Sequence, residues 1–358
     1  MLFNNISHKK RFSVVAFGAT FITLGTAASA IATTFSAEPL FKEVNSYTTT
    51  IATNGDPADI YFPFLPDADT NTNLFPVVLL LQGALVDKAD YSNFATIVAS
   101  YGFVVVVPNN ERTLVAPTGQ SVTGFFPEQQ QVNDVLAYMV AEDSNPDSPV
   151  ADLVDTSKLA LLGHSFGGAV GLASLQDLCV PFICSGSFEQ PEELVAGIFY
   201  GTNFRDPPEV GVVPPIANGG IPIGLIAGSR DGVASPSVTE ETYNQIQDQP
   251  KVLITVEGAN HYGITNEDNL LRDPIRPTLD QAVATETIAR WSALFLMAQV
   301  VDNQSAFDYV YNTGDALDEN VSVVSQAKPV PEATSGLGVL LFGTFCAGSI
   351  VKRLLSKG

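Results

Sequence analysis

The sequence predicts an α/β protein with a mostly parallel central sheet flanked by helices on both faces. Two observations carry this. Short apolar runs without alternation, such as Val77–Leu81 and Phe103–Val107, recur along the chain and mean strands buried on both faces. Between them lie segments of helical length, so strands and helices alternate in the order that builds parallel sheets.

In chain order, Ser46–Ile51 and Asp59–Phe62 read as two strands, with Asn54-Gly55-Asp56-Pro57 turning between them. Val77–Leu81 is a buried strand and Tyr91–Ser100 a helix; Phe103–Val107 and Pro127–Val140 repeat the pair. Leu159–Gly163 is a third buried strand, followed by a helix from about Gly167. Val195–Tyr200, Ile221–Ala227 and Val252–Val256 are further strands, and Leu279–Val301 is a long closing helix. The expected boundaries are 1–30 for an export signal, 31–328 for the catalytic domain and 329–358 for a terminal sorting or anchor segment.

The two ends differ in kind from the middle. His8-Lys9-Lys10-Arg11, an apolar run from Phe12 to Ala27 and Ala28-Ser29-Ala30 have the layout of a secretory signal peptide, with an uncleaved anchor as the other reading. At the far end Val330-Pro331-Glu332, the apolar stretch Gly336–Val351 and the basic tip Lys352-Arg353 resemble the PEP-CTERM sorting signal of bacterial envelopes. Ala333 stands where that signal has a second proline, and a plain C-terminal anchor is the alternative. Both ends place the domain outside the cytoplasm, in the periplasm or envelope, with membrane association through the C-terminal segment. In that setting Cys179 and Cys184, five positions apart, are read as a disulfide around Pro181 or as two buried thiols, while Cys346 lies in the tail.

Seventeen Lys and Arg against 38 Asp and Glu give a net charge of −21, which repels phosphate backbones and excludes nucleic acid as an expected partner. Three histidines with no cysteine at ligand spacing argue against a metal site.

The chemistry concentrates in Gly163-His164-Ser165-Phe166-Gly167-Gly168. This fits G-x-S-x-G between a strand and a helix rich in small residues, the setting of a nucleophile elbow and of the α/β-hydrolase fold. Ser165 is then the nucleophile. His8 belongs to the signal peptide and His164 projects away from the serine hydroxyl, so His261, on the glycine-flanked loop Glu257–Gly263, is left as the base. Asp231, after the strand Ile221–Ala227, is the favoured acid, with Asp206 after the preceding strand as its rival. The oxyanion hole is expected from the backbone N–H groups of Phe166 and Ala84. Gln82 stands beside that loop as a pocket residue or a brace. Phe125-Phe126, Phe199-Tyr200 and Val210–Ile223 either line an apolar pocket or pack the core.

Three stretches carry a resemblance: Pro76–Gly83, Tyr101–Pro108 and Gly163–Gly168 resemble the chlorophyllase group of α/β-hydrolases, over about residues 40–305. The resemblance implies cofactor-free hydrolysis of an apolar ester substrate, chlorophyll, to chlorophyllide and phytol. Plant members usually carry Arg at the position of Phe166 and His at that of Gln82. They take their acid after the strand equivalent to Val195–Tyr200, where this chain has Phe199-Tyr200-Gly201. An acid at Asp231 instead resembles bacterial dienelactone hydrolases and polyester hydrolases, so a general bacterial esterase is the rival reading. A catalytically silent envelope binding protein on the same scaffold is the alternative of another class.

Overall fold

The computed structural model describes residues 35–66, 74–115, 119–205 and 211–327. The signal-peptide and sorting-segment expectations, His8, Cys346, Asp206 and the start of the Val210–Ile223 loop lie outside these residues.

Among the described residues the core is a nine-stranded sheet. Its strands are β1 (Val44–Thr50), β2 (Pro57–Pro63), β3 (Phe75–Leu81), β4 (Val104–Pro108), β7 (Val154–His164), β8 (Leu194–Tyr200), β9 (Ile223–Gly228), β10 (Lys251–Val256) and β11 (Val321–Gln326). The order across the sheet is β1-β2-β4-β3-β7-β8-β9-β10-β11. From β4 to β10 all neighbours pair in parallel, and antiparallel β1, β2 and β11 close the two edges. Every residue of β3, β4 and β9 is buried, as continuous apolar strands covered on both faces must be.

Helices α1 (Ser92–Ala99) and α5 (Gln281–Val300) share one apolar core with the sheet, and α2 (Gln130–Asp143) and α3 (Phe166–Ser174) share the other. In α2 the buried residues Val132, Val135, Leu136 and Met139 recur at helical spacing. Asp280 caps α5, its Oδ1 accepting the N–H groups of Ala282 (2.9 Å) and Val283 (3.4 Å).

The alternation predicted from the sequence is present, with three additions. These are a hairpin of β5 (Glu111–Val115) and β6 (Ser121–Phe125), helix α4 (Pro236–Gln245) and the edge strand β11, to which the sequence pattern assigns no element. The hairpin and β11 are largely exposed and polar, so they carry no continuous apolar run, and α4 buries only Thr239, Thr242 and Tyr243. A short helix α6 (Gln304–Asp308) follows α5.

Because β3, β7, β8, β9 and β10 run parallel, the loops after them all emerge on one edge. After β3 the chain first goes to β4 on one side and then to β7 on the other, so the loops after β3 and β7 flank a topological switch point. That edge gathers Gln82–Ala84, Ser165, Gly201, Asp231 and His261.

Candidate active site

Ser165 joins the end of β7 to the start of α3 with φ 54° and ψ −118°, a backbone that a residue with a Cβ adopts only under constraint. The constraint is visible. Its N–H donates to the Tyr200 carbonyl (2.9 Å), and its own carbonyl accepts from Gly168 N–H (3.0 Å) and the Thr202 hydroxyl (2.8 Å). The elbow's glycine after the serine is a steric demand: a Cβ on Gly167 would stand 2.1 Å from the Leu81 carbonyl oxygen. The same closeness brings the N-terminus of α3 against the loop that follows β3. There, among the described residues, the N–H groups of Phe166 and Ala84 have no acceptor, although neither residue is fully exposed.

His261 and Asp231 sit together on the loops after β10 and β9. His261 Nδ1 is 2.8 Å from Asp231 Oδ2, and both side chains are buried. A carboxylate only accepts, so Nδ1 carries a proton, and in the neutral ring Nε2 is then the free acceptor. The second oxygen of Asp231 accepts from the N–H groups of Val233 (2.8 Å) and Ala234 (2.7 Å), which fixes the carboxylate's plane. Gly201, next after the residue that binds Ser165 N–H, lies against this pair. A Cβ there would be 2.9 Å from Asp231 Oδ2 and 3.0 Å from His261 Nδ1. The strained serine and the imidazole–carboxylate pair are therefore neighbours around the end of β8.

One residue of this site carried no signal in the sequence. Asp273 is buried, and its Oδ2 accepts from His261 N–H (2.9 Å) and Gly232 N–H (3.3 Å), while Oδ1 accepts from Ile275 N–H (2.8 Å). A single carboxylate thus ties the backbone of the histidine to the residue after Asp231. Arg272-Asp273-Pro274 reads locally as an ordinary turn, and only the return of this loop to the site gives the aspartate its partners.

The expected pocket residues divide. Gln82, Phe199 and Tyr200 are 0%, 0% and 2% exposed and belong to the interior, not to a pocket wall. With its amide oriented as its neighbours require, Gln82 braces β4, its nitrogen donating to the Pro108 carbonyl and its oxygen accepting from Asn110 N–H, both at 3.0 Å. Phe199 fills the space that Gly171 and Gly197 leave open beneath α3. Tyr200 donates its hydroxyl to the Asn260 carbonyl beside His261. Burial first, then the charges of Asp231 and Asp273, pushes that phenol well above its ordinary range, so it remains a donor. Phe126 is also buried, its ring edge-on to Phe166 at 6.2 Å, whereas Phe125 is half-buried at the base of the hairpin. Leu85 N–H donates to the Phe125 carbonyl (2.6 Å), so the hairpin is fastened to the loop after β3.

Around the site lie exposed apolar side chains: Leu85, Val233, Leu270, Leu271 and Ile275. Leu271 is 99% exposed, and Arg272 beside it reaches the Leu85 carbonyl (3.4 Å), so the loop after β10 borders the loop after β3. Away from the site, Cys179 and Cys184 are joined by a disulfide with Cα atoms 5.3 Å apart. No group of three or more His, Cys, Asp or Glu among the described residues is arranged to hold a metal ion.

Comparison with known proteins gives the same picture for the first half of the domain. Residues 40–179 match the chlorophyllase family model. Cutinase 2 of Thermobifida cellulosilytica is 30% identical over 109 residues, which are 30% of this chain and 35% of that protein. Cutinase cut1 of Thermobifida fusca is 30% identical over 109 residues, 30% of this chain and 29% of that protein. Chlorophyllase type 0 of Chenopodium album is 31% identical over 120 residues, 31% of each chain. The chain spans about a third of the length of the curated relatives it matches. With its strand order, its serine turn and these matches, the chain has the α/β-hydrolase fold.

Proposed function

We propose that the protein is a serine carboxylic-ester hydrolase acting on large apolar esters through an acyl-enzyme. The observation that carries this is the Ser165 backbone, held at φ 54° beside the buried His261–Asp231 pair. In this reading His261 Nε2 takes the proton from Ser165 Oγ as that oxygen bonds to the ester carbonyl carbon, while Nδ1–H stays bonded to Asp231. The carbonyl oxygen becomes an oxyanion that accepts from the N–H groups of Phe166 and Ala84. Collapse breaks the bond to the alkoxide, which leaves as the alcohol with the proton from Nε2. Water then adds to the acyl carbon, giving its proton to Nε2. The second collapse frees the acid and restores the Ser165 hydroxyl.

The apolar rim of Leu85, Val233, Leu271 and Ile275 supports a substrate with a large hydrocarbon part. Within that class the match to the chlorophyllase family favours the phytyl ester of chlorophyll as substrate. A polyester is the second reading, favoured by the acid's place after β9 and by the cutinase matches. Export from the cytoplasm belongs to the same proposal, supported by residues 8–30 and by the Cys179–Cys184 disulfide.

The test is hydrolysis of p-nitrophenyl butyrate by the full chain beside Ser165→Ala. Turnover that the variant lacks is expected, and equal rates would leave a binding protein as the better description. Chlorophyll a with product extraction, run beside a polyester film, then separates the two substrates by which one yields soluble acid.

A further inference from the structure

His164 is the residue the proposed mechanism leaves unused, and its surroundings are unusually determinate. It is fully buried between the serine turn and the loop of His261, its ring centroid 4.8 Å from that of His261. Its Nε2 is 2.9 Å from the His261 backbone carbonyl, and its Nδ1 is 2.9 Å from the Tyr91 hydroxyl. The same hydroxyl oxygen lies 2.8 Å from the N–H of Gly83, in the loop after β3 that precedes Ala84.

The chemistry of the four groups fixes every proton. A carbonyl only accepts, so Nε2 of His164 carries hydrogen and Nδ1, in a neutral ring, does not. Nδ1 must then accept from the Tyr91 hydroxyl, and the phenol oxygen is left to accept from Gly83 N–H. The chain runs in one direction from Gly83 through Tyr91 and His164 to His261, with each group used once. Burial holds the His164 imidazole well below the ordinary histidine range, and the neighbouring His261 adds to this, so the ring stays neutral. Charging it would place a cation beside the imidazole that must itself become cationic during the reaction. Gly83 is glycine for this contact: a Cβ there would stand 2.7 Å from His164 Nδ1.

We infer that Tyr91 and His164 are positioning residues that hold the oxyanion loop and the base loop in register through this hydrogen-bond relay. The inference rests on the ester-hydrolase reading. The two loops follow β3 and β10, which three other strands separate in the sheet, and the relay crosses that gap inside the protein. It fixes the backbone of His261 at its carbonyl, as Asp273 does at its N–H, and it fixes Gly83 one residue before the N–H that is to receive the oxyanion.

The experiment measures kcat and KM of the full chain on p-nitrophenyl butyrate for Tyr91→Phe, His164→Ala and His164→Gln. Active sites are counted by covalent labelling with a fluorophosphonate. Tyr91→Phe removes one oxygen atom and His164→Ala the whole link. Each is expected to lower kcat per labelled site about tenfold, with KM within about twofold, because misplaced loops cost transition-state more than ground-state contacts. His164→Gln keeps a donor toward the His261 carbonyl and is expected to regain part of what His164→Ala loses. A merely structural role lowers the labelled fraction or the Tm and leaves kcat per labelled site unchanged. If Tyr91→Phe and His164→Gln both stay within twofold of an active wild type on that measure, the relay has no positioning role. A wild type with neither turnover nor labelling overturns the hydrolase reading, and the inference with it.

Discussion

The two edges of the central sheet differ in what their loops bring together. At the carboxyl edge the loops after β3, β7, β9 and β10 converge buried groups that satisfy one another: Asp231 with His261, Asp273 with three backbone N–H groups, His164 with Tyr91. At the amino edge, Gly220 and Pro222 before β9, Pro250 before β10 and the end of α5 surround a cavity of about 370 Å³, with Asp302, Asn303, Gln299 and Gln304 on its wall. Of the groups lining that cavity only Asp302 is ionisable, and no serine, cysteine or histidine stands beside it. That cavity by itself therefore marks no chemistry. Convergence of constrained polar groups does.

The comparison can be broken or sharpened by substitution, beginning with the largest effect. Ser165→Ala should reduce esterase kcat by about 10⁴-fold or more while leaving the Tm close to wild type, since the hydroxyl carries the reaction and little of the packing. Asp273→Asn should lower kcat/KM about tenfold and stability by about 2 kcal/mol, read from esterase kinetics and thermal unfolding. The amide puts an N–H₂ where either the His261 or the Ile275 N–H needs an acceptor.

A third change probes burial without function. Burial raises the Asp56 carboxyl to about 7, with Glu128 and Asp134 adding to it. The folded state then binds a proton that the unfolded chain releases near pH 4. Stability falls as pH rises from about 4 to 7, and the cost is fully present above 7. Asp56→Asn keeps an oxygen for the amides of Asn54 and Gln131, which both bond Oδ2 at 3.0 Å. It should stabilise by about 1–2 kcal/mol at pH 8, shrinking toward zero near pH 4, as measured by urea unfolding across pH. The smallest expected effect is at the amino edge: Gln299→Ala with Asp302→Asn should leave esterase kcat/KM within about twofold. A larger loss would show that this edge takes part.

Legibility followed the range of the interactions. Val77–Leu81 and Phe103–Val107 announce buried parallel strands because every residue of each meets apolar neighbours. Ser165 is legible because its turn demands glycine at fixed offsets, and His261 because so few histidines exist. Asp273 and Tyr91 left no local trace, and for Gln82 the sequence offered a brace and a pocket wall alike. Phe199 and Tyr200 look alike whether a site or a core surrounds them, and both proved to be interior.

The sequence alone therefore determined the order of strands and helices, the strained serine turn and the shortage of alternatives for its base, since these depend on neighbours along the chain. Which carboxylate meets His261, that Asp273 binds the same loop, and that a neutral histidine spans from Gly83 to His261 were decided only in the folded molecule. A hydrogen bond between residues 73 or 97 positions apart depends on how strands are ordered across the sheet, and no local pattern of residue types encodes that.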